Sequence, residues 1–275
     1  MEKTFSKLIL LFFIYAIMGW LWETIYCSLK QGKFVYRGFL FGPYCPIYGF
    51  GLIGVVYLVA PFQKNLFLLF IFSSLIVSIL EYFTSYFMEK LFHTTWWSYE
   101  DVPFNLNGRI ALPISIFWGI ACVFVVKVIH PLADQWVSWL NTHFGITLPI
   151  VLLILLLIDT IASIMSMNAF QKMVHQLNTE LETKLEEAKT AVTDFEKAFD
   201  KKQHLLSAKW KNKREAWLKE VKENPILFSK LPKFNFNQRR FLKSYTQMKM
   251  KDIKDFKAFK QHLLNLDEIK KQLKK

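Results

Sequence analysis

Six residues could do chemistry in an otherwise apolar setting: Glu23, Arg37, Glu81, Asn107, Arg109 and Asp159. The three carboxylates can accept a proton, hold a cation or pair with an arginine. The two arginines carry planar forks that fit a phosphate or carboxylate, and Asn107 adds an amide. Each stands inside or beside an apolar stretch. An ionisable side chain there is costly, so it faces the bundle interior or a wet cavity. Spacing supports a common face. Ser74, Ser78, Glu81 and Ser85 follow steps of four, three and four, with Glu89 one turn further, and Asp159, Ser163 and Ser166 repeat the pattern. Two readings fit: one shared ligand pocket, or buried ion pairs that hold helices in register. Cys27, Cys45 and Cys122 show no CxxC or Cys/His spacing, so they read as packing residues, and neither metal nor cofactor is expected.

The elements that position these residues are five apolar stretches: Phe5–Leu29, Gly38–Ala60, Leu66–Phe92, Ile110–His130 and Thr147–Asn168. Each reaches the roughly 20 residues that a spanning helix needs. The first is too long for a signal peptide, carries Glu23 and lacks a small-x-small cleavage site. Glycines and prolines interrupt the second. Charge then changes abruptly. Residues 1–168 hold nine Lys+Arg and eight Asp+Glu, a net +1, whereas 169–275 hold 26 and 14, a net +12. The expected fold is an all-α integral membrane protein. About five transmembrane helices, residues 1–168, precede a basic cytoplasmic helical tail, residues 169–275.

Lys and Arg in short loops favour the cytoplasm. Lys30, Lys33 and Arg37 mark the first loop as inside, the tail agrees, and Pro131–Ile146, which has none, reads as outside. Five spans place the N-terminus outside. Were the second stretch re-entrant, four spans would place it inside. In the five-span topology the carboxylates of the first, third and fifth stretches share the cytoplasmic half of the membrane with Arg37 and Arg109.

Two loops are distinctive. Arg37-Gly38-Phe39-Leu40-Phe41-Gly42-Pro43-Tyr44-Cys45-Pro46-Ile47-Tyr48-Gly49-Phe50-Gly51 cannot form regular helix throughout. Broken backbone at membrane depth survives where protein covers it or where it lines a wet cavity. The other loop holds Trp96-Trp97-Ser98-Tyr99 and Asn107-Gly108-Arg109-Ile110, whose aromatics suit a membrane interface. Together with Gly19, Trp20, Glu23 and Glu81, these runs resemble the bacterial putative ABC-transporter type IV permeases (CmpB-like proteins) over roughly residues 8–168. Gly19, Trp20, Gly38, Gly42, Pro43, Cys45, Pro46, Tyr48, Gly49 and Trp97 carry the resemblance as structural signature residues. The resemblance implies the membrane subunit of a transporter. No GxxxxGK[ST] sequence is present, so any ATPase would be a separate subunit.

From Phe170, apolar residues recur at threes and fours through Val174, Leu177, Leu181 and on to Leu206, a coiled-coil-like seam. One helix is expected to run from the membrane to about Glu223. Asn224-Pro225 and Leu231-Pro232 end it, and a second amphipathic stretch completes a hairpin. The tail could self-associate, and its lysines could touch anionic lipid; nothing points to nucleic acid. Three functions are ranked. A transport subunit with a polar site comes first. A membrane enzyme acting on lipid or isoprenoid head groups comes second, since no nucleophile–base–orienter set is legible. A scaffold whose tail recruits partners comes third. The orientation has a direct test. In a background without native cysteines, a cysteine at Ser138 should react with an impermeant reagent in intact cells, and one at Ser229 should not.

Overall fold

The computed structural model describes residues 2–196 and, with short gaps, 234–264. The expected turns at 224–225 and 231–232 lie outside the described residues, as do the side chains of most of the expected seam beyond Leu181. The chain divides into two compact units. One is Met1–Met167 with Asn237–Asp252, and the other is Asn168–Phe236 with Ile253–Lys275. A stretch of the expected tail, Asn237–Asp252, therefore packs as part of the first unit.

In chain order the helices are α1 (Glu2–Gln31), α2 (Pro46–Leu58), α3 (Leu66–Phe92), α4 (Leu112–Phe124), α5 (His130–Phe144), α6 (Thr147–Glu196) and α7 (Phe236–Ser244). Among the described residues, four helices are long and apolar enough to cross a membrane: α1, α3, the continuous run Leu112–Phe144, and the Thr147–Glu180 part of α6. Large apolar side chains such as Phe83, Phe117, Leu155 and Ile158 point outward from them, as lipid-facing surfaces do. The second stretch departs from expectation. Its helix has 13 residues, about 20 Å at 1.5 Å per residue, because Pro46 opens the helix and everything from Gly38 to Cys45 is irregular. Pro46 suits a first helical position, where its missing N–H is not needed.

The fourth stretch departs in the opposite sense. Pro131 does not end it. A π-helical turn, Val125–Ile129, widens the ladder ahead of the proline, and the helix continues as α5. The expected loop Pro131–Ile146 is thus mostly helix. The third stretch coincides with α3, whose start Asn65 caps by accepting from the Phe67 and Leu68 N–H groups at 3.0 and 3.2 Å.

Packing fixes the helix directions. Near its start α1 meets α5, through Ser6 to Asn141 at 2.5 Å and Tyr15 with His130 at 2.6 Å. Near its end it meets α4, where Trp22 stacks on Phe117. So α1 runs antiparallel to α4–α5. Gly119 of α4 lies against Ser74 and Phe70, and Ser78 bonds Ser115, so α3 is antiparallel to α4 as well. Leu152, Leu153 and Leu156 pack on Ile9, Phe12 and Phe13, setting α6 parallel to α1. The short α2 descends between α1 and α3: Gly49 meets Phe12, Gly54 meets Ile76, and Val59 clusters with Leu69.

Small residues permit the closest approach. A Cβ on Gly49 would lie 2.5 Å from the Phe12 ring and 2.8 Å from the Phe12 carbonyl oxygen, which belongs to a helix backbone and cannot yield. At Gly51 the nearest contact, Leu80, is an ordinary 3.8 Å away. Gly49→Ala should therefore cost about 1–3 kcal/mol and lower the melting temperature in detergent. Gly51→Ala should be neutral or gain up to about 1 kcal/mol. Equal melting temperatures for the two variants would contradict this account of the α1–α2 contact.

Candidate functional site

The end of the bundle at which α1 and α3 finish carries the six candidate residues. Between α1 and α2 the chain makes no regular structure, yet its backbone is paired almost group by group. Ser28 Oγ accepts from the Val35 N–H, and Thr24 Oγ1 from the Arg37 N–H. The Trp20 indole donates to the Arg37 carbonyl at 3.0 Å. The Phe41 and Gly42 N–H groups donate to the two Asp159 oxygens at 2.8 and 2.7 Å. The Cys45 N–H donates to the Ala16 carbonyl at 2.9 Å. Asp159 also accepts from the Tyr44 hydroxyl at 2.6 Å and from Ser163 at 3.1 Å. Four bonds occupy this carboxylate, so Asp159 anchors the broken loop. Gly38 adopts φ +95°, and a Cβ there would press on Cys45 Sγ at 3.2 Å.

A second cluster joins α1, α2 and α3. Arg37 Nε bonds Glu23 Oε2 at 3.1 Å, and the Tyr48 hydroxyl donates to Glu23 Oε1 at 2.7 Å. Tyr48 reaches Glu23 because its ring lies directly on Gly19. On the α3 side, the Tyr99 hydroxyl donates to Glu81 Oε1 at 2.9 Å. Glu81 is only 8% exposed, and its Oε2 is buried without a partner among the described residues. Burial first, and then the Glu81 carboxylate, push the Tyr99 phenol well above its ordinary range, so it remains a donor. Glu23 and Glu81 are near enough to interact electrostatically. Arg37 and Tyr48 thus serve Glu23, and Tyr99 serves Glu81.

Arg109 and Asn107 lie elsewhere. Arg109 bonds Glu89 at 2.6 Å, and Lys251 pairs with the other Glu89 oxygen. The Arg109 guanidinium also stands over the Tyr82 and Tyr86 rings, and its carbonyl accepts from the Trp97 indole at 3.1 Å. Asn107 is exposed and touches the Tyr82 hydroxyl. With Gly108 it forms the tip of a small hairpin, β2 (Asn105–Leu106) against β3 (Ile110–Ala111). Both tip residues have positive φ, 53° and 66°, as a type I′ turn requires. Asn-Gly was the sequence signal for that turn. The six candidate residues therefore separate into one cluster (Glu23, Arg37, Glu81), one anchor (Asp159) and one structural corner (Asn107, Arg109).

The polar end also includes residues that the sequence reading left in the tail. Two-residue strands, β1 (Thr94–Thr95) and β4 (Lys249–Met250), pair antiparallel and tie Asn237–Asp252 across it. Arg37 Nη1 donates to the Ser244 carbonyl at 2.7 Å, and its guanidinium rests 4.4 Å from the centre of the Tyr245 ring. Arg240, 4% exposed, donates to the Leu40 and Phe39 carbonyls at 2.5 and 2.7 Å. Burial draws its guanidinium below the ordinary value, against the pull of Tyr245, Tyr36 and Asp159. One signal existed: among the 26 basic residues after position 168, only 214, 239 and 240 are arginines. Arginine is the residue suited to buried, planar recognition.

A helical membrane protein with a polar cluster at one end of its bundle is the class that this fold and site define. The family described as putative ABC-transporter type IV matches residues 10–164, more than half of the chain, and the chain belongs to that family. The strap Asn237–Asp252 lies outside the matched range. No curated protein and no solved structure matches the chain.

Anchor and cluster should respond differently to neutralising substitutions. Asp159→Asn sets an amide against N–H donors and should cost on the order of 2–3 kcal/mol, as a lost charged hydrogen bond does. Glu81→Gln keeps the Tyr99 bond and should barely move the melting temperature in detergent. A loss from Glu81→Gln as large as that from Asp159→Asn would make Glu81 a structural tie.

Proposed function

We propose that this chain is a permease-like subunit of a transport system, energised by a separate ATPase, with a cation- or proton-accepting site between Glu23 and Glu81. The observation that carries the reading is a Glu81 oxygen buried without a partner among the described residues, on a carboxylate within electrostatic reach of Glu23. An ionised carboxyl so placed is a high-energy group in an apolar interior. A set of ion pairs built only to hold helices in register would supply a counter-charge for each carboxylate. Here Arg37 is committed to Glu23, Ser244 and Tyr245, and Arg109 to Glu89. Neither fork stands ready for a phosphate, which argues against an enzyme acting on phosphorylated head groups.

The orientation follows from helix direction and charge. Since α1 and α6 run in the same sense, the start of α1 and the outgoing end of α6 belong to opposite ends of the bundle. The end with Lys30, Lys33, Arg37 and the basic tail takes the cytoplasmic side. The segment Gly38–Leu58, half irregular and half helix, then serves as a fifth crossing, and the site lies in the cytoplasmic half of the membrane.

Two measurements test the reading. Purification in mild detergent should recover an ATPase subunit with the wild-type chain, and ATP hydrolysis by the complex in liposomes should be lost in Glu81→Gln while the complex stays assembled and monodisperse. Recovery of the chain without any ATPase would refute the transport-subunit reading. Unchanged hydrolysis in Glu81→Gln would remove the site from it.

A further inference from the structure

Arg240 is bound as a ligand would be. Its two terminal nitrogens meet adjacent main-chain carbonyls, Leu40 and Phe39. Three aromatic faces surround the guanidinium carbon: Tyr36 at 5.2 Å, Phe241 at 5.6 Å and Phe41 at 5.9 Å. The Tyr36 hydroxyl is itself held by the Phe41 carbonyl at 2.8 Å, which fixes the ring against the loop. Asp159 acts on Arg240 electrostatically from across the same loop. Paired carbonyls, aromatic faces and a nearby carboxylate are the chemistry that recognises a planar cation. Apart from Phe241, every part of that receptor lies within the family-matched residues 10–164, whereas its occupant comes from outside them.

We propose that the Tyr36–Phe41 loop is a binding site for a guanidinium group, and that Arg240 is its built-in occupant. The ligand class is a small compound carrying a guanidinium. Such a cation satisfies both carbonyls in one plane and spreads its charge over the rings, whereas an ammonium ion is a compact, strongly hydrated point charge that lacks the planar fork. Strap and ligand therefore compete for one place. When Arg240 is seated, Ser244 and Tyr245 are brought onto Arg37, because they follow it within four and five residues on α7 and just beyond. Emptying the loop of Arg240 uncovers the Glu23–Arg37 pair as well. The inference concerns the loop and stands independently of the transport reading.

The test is chemical rescue of the full chain in detergent. Arg240→Ala should melt below wild type and should bind methylguanidinium saturably in calorimetry, with its melting temperature rising toward the wild-type value. Methylammonium and urea should do neither, and wild type should respond only at higher concentrations of methylguanidinium, where it displaces Arg240. Equal rescue by methylammonium, or an equal response from wild type, would overturn the proposal. If Arg240→Ala does not yield folded protein, Arg240→Lys decides. An ammonium in place of the fork should speed hydrogen exchange of the amides in 237–250 by about tenfold, a shift of about 1.4 kcal/mol. Exchange indistinguishable from wild type would show that the site does not select a guanidinium, and would equally overturn it.

Discussion

One constraint organises this molecule: backbone that is neither helix nor strand must still have its polar groups satisfied at the depth of an apolar bundle. The stretch from Val35 to Cys45 sets the problem. Ser28, Thr24 and Trp20 of α1 serve its first residues, Asp159 of α6 serves Phe41 and Gly42, and the carbonyl of Ala16 serves Cys45. Arg240 takes the carbonyls of Phe39 and Leu40. Three separate parts of the chain converge because this loop cannot satisfy itself. An unpaired buried peptide group costs on the order of 1–3 kcal/mol, so each partner is worth its desolvation.

That frame separates structural charges from disposable ones. Asp159 and Arg109 sit in the apolar sequence as conspicuously as Glu81 does, yet Asp159 makes four hydrogen bonds and Arg109 has Glu89 as its counter-charge. Glu81 keeps one bond, to Tyr99, and one bare oxygen. The contrast between these two carboxylates locates the part of the polar layer that architecture alone does not require.

Much of this was legible in the sequence, and the misses have definite causes. Leu66–Phe92 matched its helix at both ends, since an asparagine cap and an unbroken apolar run leave little freedom. The broken character of Gly38–Cys45 was evident from its glycines and prolines. Asn107-Gly108 announced a hairpin turn, but the neighbouring arginine drew attention to ligand binding instead. Pro131 looked like a helix end because a π turn leaves no mark in composition. The docking of Arg240, Ser244 and Tyr245 could not be read locally: these contacts join residues about 200 positions apart, and no period or motif encodes such a pairing.

Sequence separation also orders events in time. Arg37 precedes Ser244 by 207 residues. At about 5–20 residues per second of synthesis, the arginine and the loop beside it wait about 10–40 s on the ribosome for the carbonyl, the ring and the guanidinium that complete them. Three helices long and apolar enough to cross a membrane, α3, the run Leu112–Phe144 and α6, are made during that interval. The irregular loop is thus completed late, by a part of the chain made long after it, and the nascent protein passes through a stage in which its polar end is open to whatever the membrane surface offers.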